Sequence, residues 1–180
     1  MDSLRPPYDL DTIRIPFERR AQALTLRPSK GQGTATTTVH MTDGLSCEIK
    51  EGAWRFACDT SEKGGGHDTG PNPGTLGRGA LGACLAMTLV RFAACEGIAL
   101  DGLTVEVEAD YDACGEYGVS DEVPPGYRAM RCILTIESDA PEAEIARLLT
   151  EAERGTAFLD TFRRAVPVTC ETWIVHPEHS

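Results

Sequence analysis

The residue best placed for chemistry in this chain is Cys84, near the middle of a stretch, Pro73 to Glu96, whose only charges are Arg78, Arg91 and Glu96. A glycine-rich segment, GGGHDTGPNPG, leads into it. A thiol there is either packing material or a nucleophile. As a nucleophile, its thiolate would attack the O–O bond of a peroxide and become a sulfenic acid. A free cysteine ionises near pH 8.5 and apolar burial raises that value, so a neighbouring cation is required. Cys84 is about the twelfth residue of the helix, beyond the first turn over which the N-terminal dipole acts. Arg91 follows by seven residues and is nearly eclipsed with Cys84, about 10 Å further along the axis, and it interrupts an otherwise apolar face. Arg78 is rotated about 120° away. Arg27 and Arg55 remain candidates from the N-terminal part, and each arginine has the alternative of an ordinary solvated or interface ion pair.

A sulfenic acid must then be resolved. Cys95 shares the face of Cys84 but lies about 16 Å along the same helix, too far for a bond that needs Cα atoms within about 7 Å. The Cys95 of an antiparallel partner helix remains open, as does an external thiol. Cys114 falls in an acidic loop, whereas Cys47 and Cys58 fall inside strands, and Cys132 and Cys170 on inward strand faces. A second, weaker arrangement is a Cys–His hydrolase using His67-Asp68. The acidic loop lacks Ca²⁺-loop spacing, the glycine loop lacks a P-loop ending, and His176 and His179 lie on a tail expected to fray.

The elements that position Cys84 follow from local signals. Asn72 is an N-cap, Pro73 a first helical residue and Gly97 a C′ stop, so a helix of about 24 residues is expected. It is apolar on all sides at its middle, and Gly77, Gly79, Ala80, Gly82 and Ala83 leave its first half nearly bare. Both features point to a second copy packing against it. Before it come three strands, Thr34–Met41, Leu45–Ile49 and Trp54–Cys58, with turns at Asp43-Gly44 and Glu51-Gly52. After it come a cleanly alternating strand Leu103–Asp110, a loop Asp112–Pro125 and a strand Met130–Glu137. Helices Pro141–Arg154 and Ala157–Arg163 and a last strand Val168–Val175 complete the chain. Residues 1–33 read as an extension with a short strand near Ala23–Leu26, and 34–180 as one domain. The fold class is α+β, an antiparallel sheet with a long buried central helix.

The net charge of −11 argues against nucleic acid as a partner. The N-terminus has no basic start leading to an apolar signal, and the longest apolar run, Ala80 to Val90, falls short of a bilayer. A cytoplasmic protein without membrane contact is expected. Seven cysteines without a C-x-x-C pair support neither a disulfide framework nor a zinc site.

The motifs GPNPGTLGRGALGACLAMTL, GIALDGLTVEVEADYD, MRCILTIESDAPEAEIARLLTEAERGTAF and VPV, in that order over residues 34 to 175, resemble the OsmC-like family of osmotically inducible and organic hydroperoxide resistance proteins. The resemblance implies an intertwined homodimer whose central helices pack together, with active sites at the subunit interface. It also implies reduction of organic hydroperoxides or hydrogen peroxide at Cys84, without metal or organic cofactor. The chain departs from that pattern twice. The family's second cysteine is Thr156 here, and the glutamate that follows Asn-Pro in the peroxidase members is Gly74. An external thiol reductant is one consequence; a non-catalytic protein binding a small apolar ligand in the interface cleft is the alternative.

Overall fold

The computed structural model describes residues 9–176. Its axis is helix α2, Pro73–Glu96, with the ends that local chemistry dictates. The Asn72 side chain accepts from the Thr75 N–H at 2.8 Å, satisfying one of the free donors of the first turn. Gly97 closes the helix at φ 73°, a conformation costly for any residue with a Cβ, and its N–H bonds back to Ala93 and Ala94.

Strands β4 (Gly102–Asp110) and β5 (Ala129–Glu137) form an antiparallel pair in unbroken register from Gly102↔Glu137 to Asp110↔Ala129. The expected alternation holds: Leu103, Val105, Val107 and Ala109 are half-buried, and Thr104, Glu106, Glu108 and Asp110 are exposed. Across the loop, helix α3 is a single turn, Ala113–Glu116. Helices α4 (Glu142–Gly155) and α5 (Ala157–Arg163) also pack on α2. The core lies where these meet, with Leu89, Ala93, Ile98, Leu100, Leu148 and Ala152 all buried. Each leucine sealed there contributes about 1.5–3 kcal/mol. Although α2 is long and apolar enough to cross a membrane by length and composition, its buried face is committed to this core.

The three expected strands form a second, separate sheet in the order β1-β2-β3: Thr38–Asp43, Ser46–Glu51 and Trp54–Cys58. Its register places Val39, Met41, Cys47, Ile49, Trp54, Phe56 and Cys58 on one face. Val39, Met41, Trp54 and Phe56 of that face are exposed. Among the described residues these strands pack extensively only on one another.

Several expectations are corrected. Residues 23–26 are not a strand; they end helix α1, Leu10–Leu26. The first strand starts at Thr38, not Thr34. The expected strand Val168–Val175 forms no regular structure, and Cys170 is exposed rather than core. Cys132 is half-buried rather than core. His179 lies outside the described residues. Helix α1 packs on the C-terminal half of α2, with the Phe17 and Phe92 rings 6.0 Å apart.

The chain exposes 13837 Å². A compact monomer of 19.4 kDa exposes about 8,500 Å². Exposed apolar side chains lie on the bare face of the β1–β3 sheet, on the segment after α5, and on one side of α2. There Gly79, Ala83 and Met87 are exposed, flanked by half-buried Leu76, Ala80, Cys84 and Val90.

Candidate active site on the central helix

Cys84 is half-buried, at the border between the packed face of α2 and its uncovered side. Its neighbours Leu81 and Leu85 are turned inward and almost fully buried. The backbone carbonyl of Cys84 accepts from the Thr88 hydroxyl at 2.8 Å. Leu81 and Leu85 also floor a cavity of about 680 Å³ between α2, the inner face of β5 and helices α4 and α5. Met130, Cys132, Leu134, Leu159 and Phe162 make its walls apolar, while Tyr127, Arg128, Glu153 and Arg163 stand at its polar parts. Cys84 does not line this space; its side chain leaves the helix about 60° round from Leu81.

The arginines expected near Cys84 are engaged elsewhere. Arg91 stacks on the Phe17 ring of α1 at 5.4 Å. Arg78 donates to the Tyr127 hydroxyl at 2.8 Å and lies 5.9 Å from the centre of that ring. Arg55 faces Glu48 at 3.7 Å, and Arg27 is the exposed C-cap of α1. Cys95 lies beneath α1. Burial and then the Glu18 charge push its thiol up, against a smaller pull from Arg14 and Arg91. Cys114 is exposed, as expected, and its neighbour Asp112 raises its ionisation range. His67 pairs with Asp43 at 3.4 Å.

The glycine loop before α2 is organised by Asp59, a residue the sequence did not single out. Its side chain is 2% exposed. Oδ2 accepts from the Ser46 hydroxyl at 2.7 Å, the Thr69 hydroxyl at 2.8 Å, and the N–H groups of His67 and Thr69. Oδ1 accepts from the Thr60 N–H at 2.7 Å. These bonds, led by Ser46, hold the carboxyl far below the ordinary aspartate range against the cost of burial. Asp59 thus ties the β1–β3 sheet to the loop that delivers Asn72 and the start of α2.

With that geometry in hand, the profile of the OsmC-like protein family matches residues 65–171. The chain belongs to the OsmC-like family. Among solved structures it is similar to an OsmC-like protein from Mycoplasma pneumoniae, at 17% identity and a TM-score of 0.64, over 73% of this chain and 89% of that one. An organic hydroperoxide resistance protein OsmC from Legionella pneumophila is 17% identical, with a TM-score of 0.54 over 73% of this chain and 90% of that one. One from Elizabethkingia anophelis is 18% identical, with a TM-score of 0.55 over 73% and 91%. Comparison with curated protein sequences returned no match. These likenesses establish the fold: antiparallel sheets around a long central helix.

Two departures from the peroxidase pattern of the OsmC-like family have structural consequences. At Gly74 a Cβ would meet the Tyr127 hydroxyl at 2.9 Å and Arg78 Nη1 at 3.2 Å. A side chain there would meet the tips of the Arg78–Tyr127 pair, and the Tyr127 hydroxyl also donates to the Gly74 carbonyl at 3.3 Å. Tyr127 sits in a loop with no periodicity, so nothing in the sequence marked it. Thr156 is fully buried at the α4–α5 junction and donates to the Ala152 carbonyl at 2.6 Å. The preceding Gly155 packs against Thr88 and Phe92, one and two turns beyond Cys84.

Proposed function

We propose that this OsmC-like protein is a dimeric, cytoplasmic thiol peroxidase in which Cys84 reduces hydroperoxides and an external thiol restores it. The thiolate attacks one peroxide oxygen, the O–O bond breaks, and an alcohol (or water) leaves with a proton. The resulting Cys84 sulfenic acid condenses with an external thiol, releasing water, and a second thiol molecule frees Cys84 as a disulfide departs. The observation that carries this reading is the position of Cys84: half-buried, mid-helix, on the border of a side of α2 that the chain itself leaves uncovered. A second copy covering that side would enclose the thiol and bring its own cations to it. Both arginines of α2 already have partners within the chain, so the activating charge is assigned to the second copy. Thr156 in place of a cysteine favours the external thiol over an internal one, and so does the cover of α1 over Cys95.

A second reading rests on the cavity beside Leu81 and Leu85. Its volume suits a small apolar ligand, and Gly74 in place of a glutamate fits a member that keeps the fold without the peroxidase chemistry. One experiment separates the two. Reduced wild type and Cys84→Ser are mixed with cumene hydroperoxide, and the thiols and peroxide consumed are counted. Peroxide consumption that depends on Cys84 supports the peroxidase. Equal consumption in both proteins removes Cys84 from the chemistry and leaves the ligand-binding reading.

A further inference from the structure

Cys47 on β2 and Cys58 on β3 stand directly opposite one another in the sheet register. Their side chains leave the same face of the sheet. Directly opposed residues of an antiparallel pair have Cα atoms about 4.5–5.5 Å apart, inside the window of about 4.4–6.8 Å that a disulfide requires. Cys58 is buried and Cys47 half-buried, so one sulfur is within reach of a small oxidant and the other is held behind it. We propose that Cys47 and Cys58 are an oxidisable dithiol that a hydroperoxide converts to a cross-strand disulfide, independently of Cys84.

The step balances simply. The Cys47 thiolate attacks the peroxide, the O–O bond breaks, and an alcohol leaves, giving a sulfenic acid. Cys58 attacks that sulfur, the S–O bond breaks, and water leaves as the disulfide forms. Two electrons pass from the thiol pair to the peroxide.

Counting back from the two-residue turn between Glu51 and Trp54, Cys47 and Cys58 fall at a hydrogen-bonded pair, where opposite side chains are further apart than at the alternate positions. The Cα separation of such a pair, about 5.5 Å, is also the commonest one for a disulfide. Its location gives it an effect. Cys47 follows Ser46 and Cys58 precedes Asp59; the Ser46 hydroxyl donates to Asp59 at 2.7 Å, and Asp59 in turn holds the glycine loop. Oxidation would covalently join the two strands that hold this anchor, next to the entry of α2.

Peptide mapping tests the assignment. Full-length reduced protein is treated with hydrogen peroxide, alkylated without reduction and digested with trypsin. The expected product joins residues 31–50 to residues 56–63, two hydrogens lighter than their sum, and disappears after dithiothreitol. It forms equally in Cys84→Ser. In Cys58→Ser it is replaced by a Cys47 sulfenic acid that dimedone traps. Recovery of Cys47 and Cys58 as free thiols once Cys84 is fully oxidised overturns the proposal. So does loss of the linked peptide in Cys84→Ser, because the pair would then be oxidised through Cys84. Should Cys58→Ser not fold, the wild-type and Cys84→Ser maps decide between these outcomes.

Discussion

Replacing Met87 by arginine puts a charge at the centre of the uncovered side of α2, where the wild-type side chain is 63% exposed in the single chain. The reasoning behind the substitution is one of area. The chain exposes 13837 Å², about 5,000 Å² more than a compact monomer of its mass. Obligate interfaces bury roughly 2,000–5,000 Å² in total, about half of it on each partner, so the excess is ample for one such interface. If a second α2 packs there, each copy of Met87→Arg buries a guanidinium without a designed partner, at a cost of about 3–5 kcal/mol. Even the lower figure weakens association more than a hundredfold, at about 1.4 kcal/mol per factor of ten. Because the separated chain leaves two apolar faces bare, it should also unfold at a lower temperature than the dimer. Size-exclusion chromatography with light scattering should give the wild type twice the 19.4 kDa chain mass. Its melting temperature should rise with protein concentration, as linkage requires. Met87→Arg should elute as monomer or aggregate and melt early. Val119→Arg, an equally exposed position on the loop after α3, should behave as wild type. A wild type that runs at 19.4 kDa at every concentration, or a Met87→Arg protein with unchanged mass and melt, would refute the argument.

Further outcomes follow from single contacts. Gly155→Ala places a Cβ 2.8 Å from the Phe92 ring, and forcing α4 away from α2 should destabilise the fold by about 1–3 kcal/mol in urea titration; an unchanged midpoint would mean the junction yields freely. Leu148→Ala, at a fully buried core position, should cost about 2–5 kcal/mol by the same measurement. Asp59 sets an acid limit: its folded-state value lies below the unfolded one, so its contribution is complete above about pH 4 and fades as pH falls further. Asp59→Asn should weaken the protein near neutrality and flatten its stability between acid and neutral pH; a mutant that keeps the wild-type acid slope would show that other carboxylates set it.

How much could be read from the sequence depended on whether each signal was complete within the chain. The ends of α2 were legible because Asn72, Pro73 and Gly97 act on their own neighbours. The β4–β5 pair was legible because both of its alternating partners lie in the same chain. Helix α1 was misread for a local reason. Pro16, inside the helix, ordinarily breaks one, and it masked Leu10, Ile13, Phe17 and Leu24, whose spacing marks one helical face, as well as the Asp9 cap that accepts from Asp11 at 3.1 Å. The segment Val168–Val175 shows a different limit. Its alternation tells which side chains would share a buried face, but a strand exists only where another strand completes its hydrogen bonds, and here Val168, Ile174 and Val175 remain exposed. The same holds for Cys84: the sequence places a thiol mid-helix, but its surroundings depend on side chains that converge from elsewhere. Arg91 shows why spacing alone misleads, since it shares a face with Cys84 yet is spent on Phe17, a residue of the helix that Pro16 concealed. The residues that positioned the candidate site were therefore readable where they act locally, and the residues that would activate it were not, because on the proposed reading they belong to a second copy packed on the uncovered side of α2.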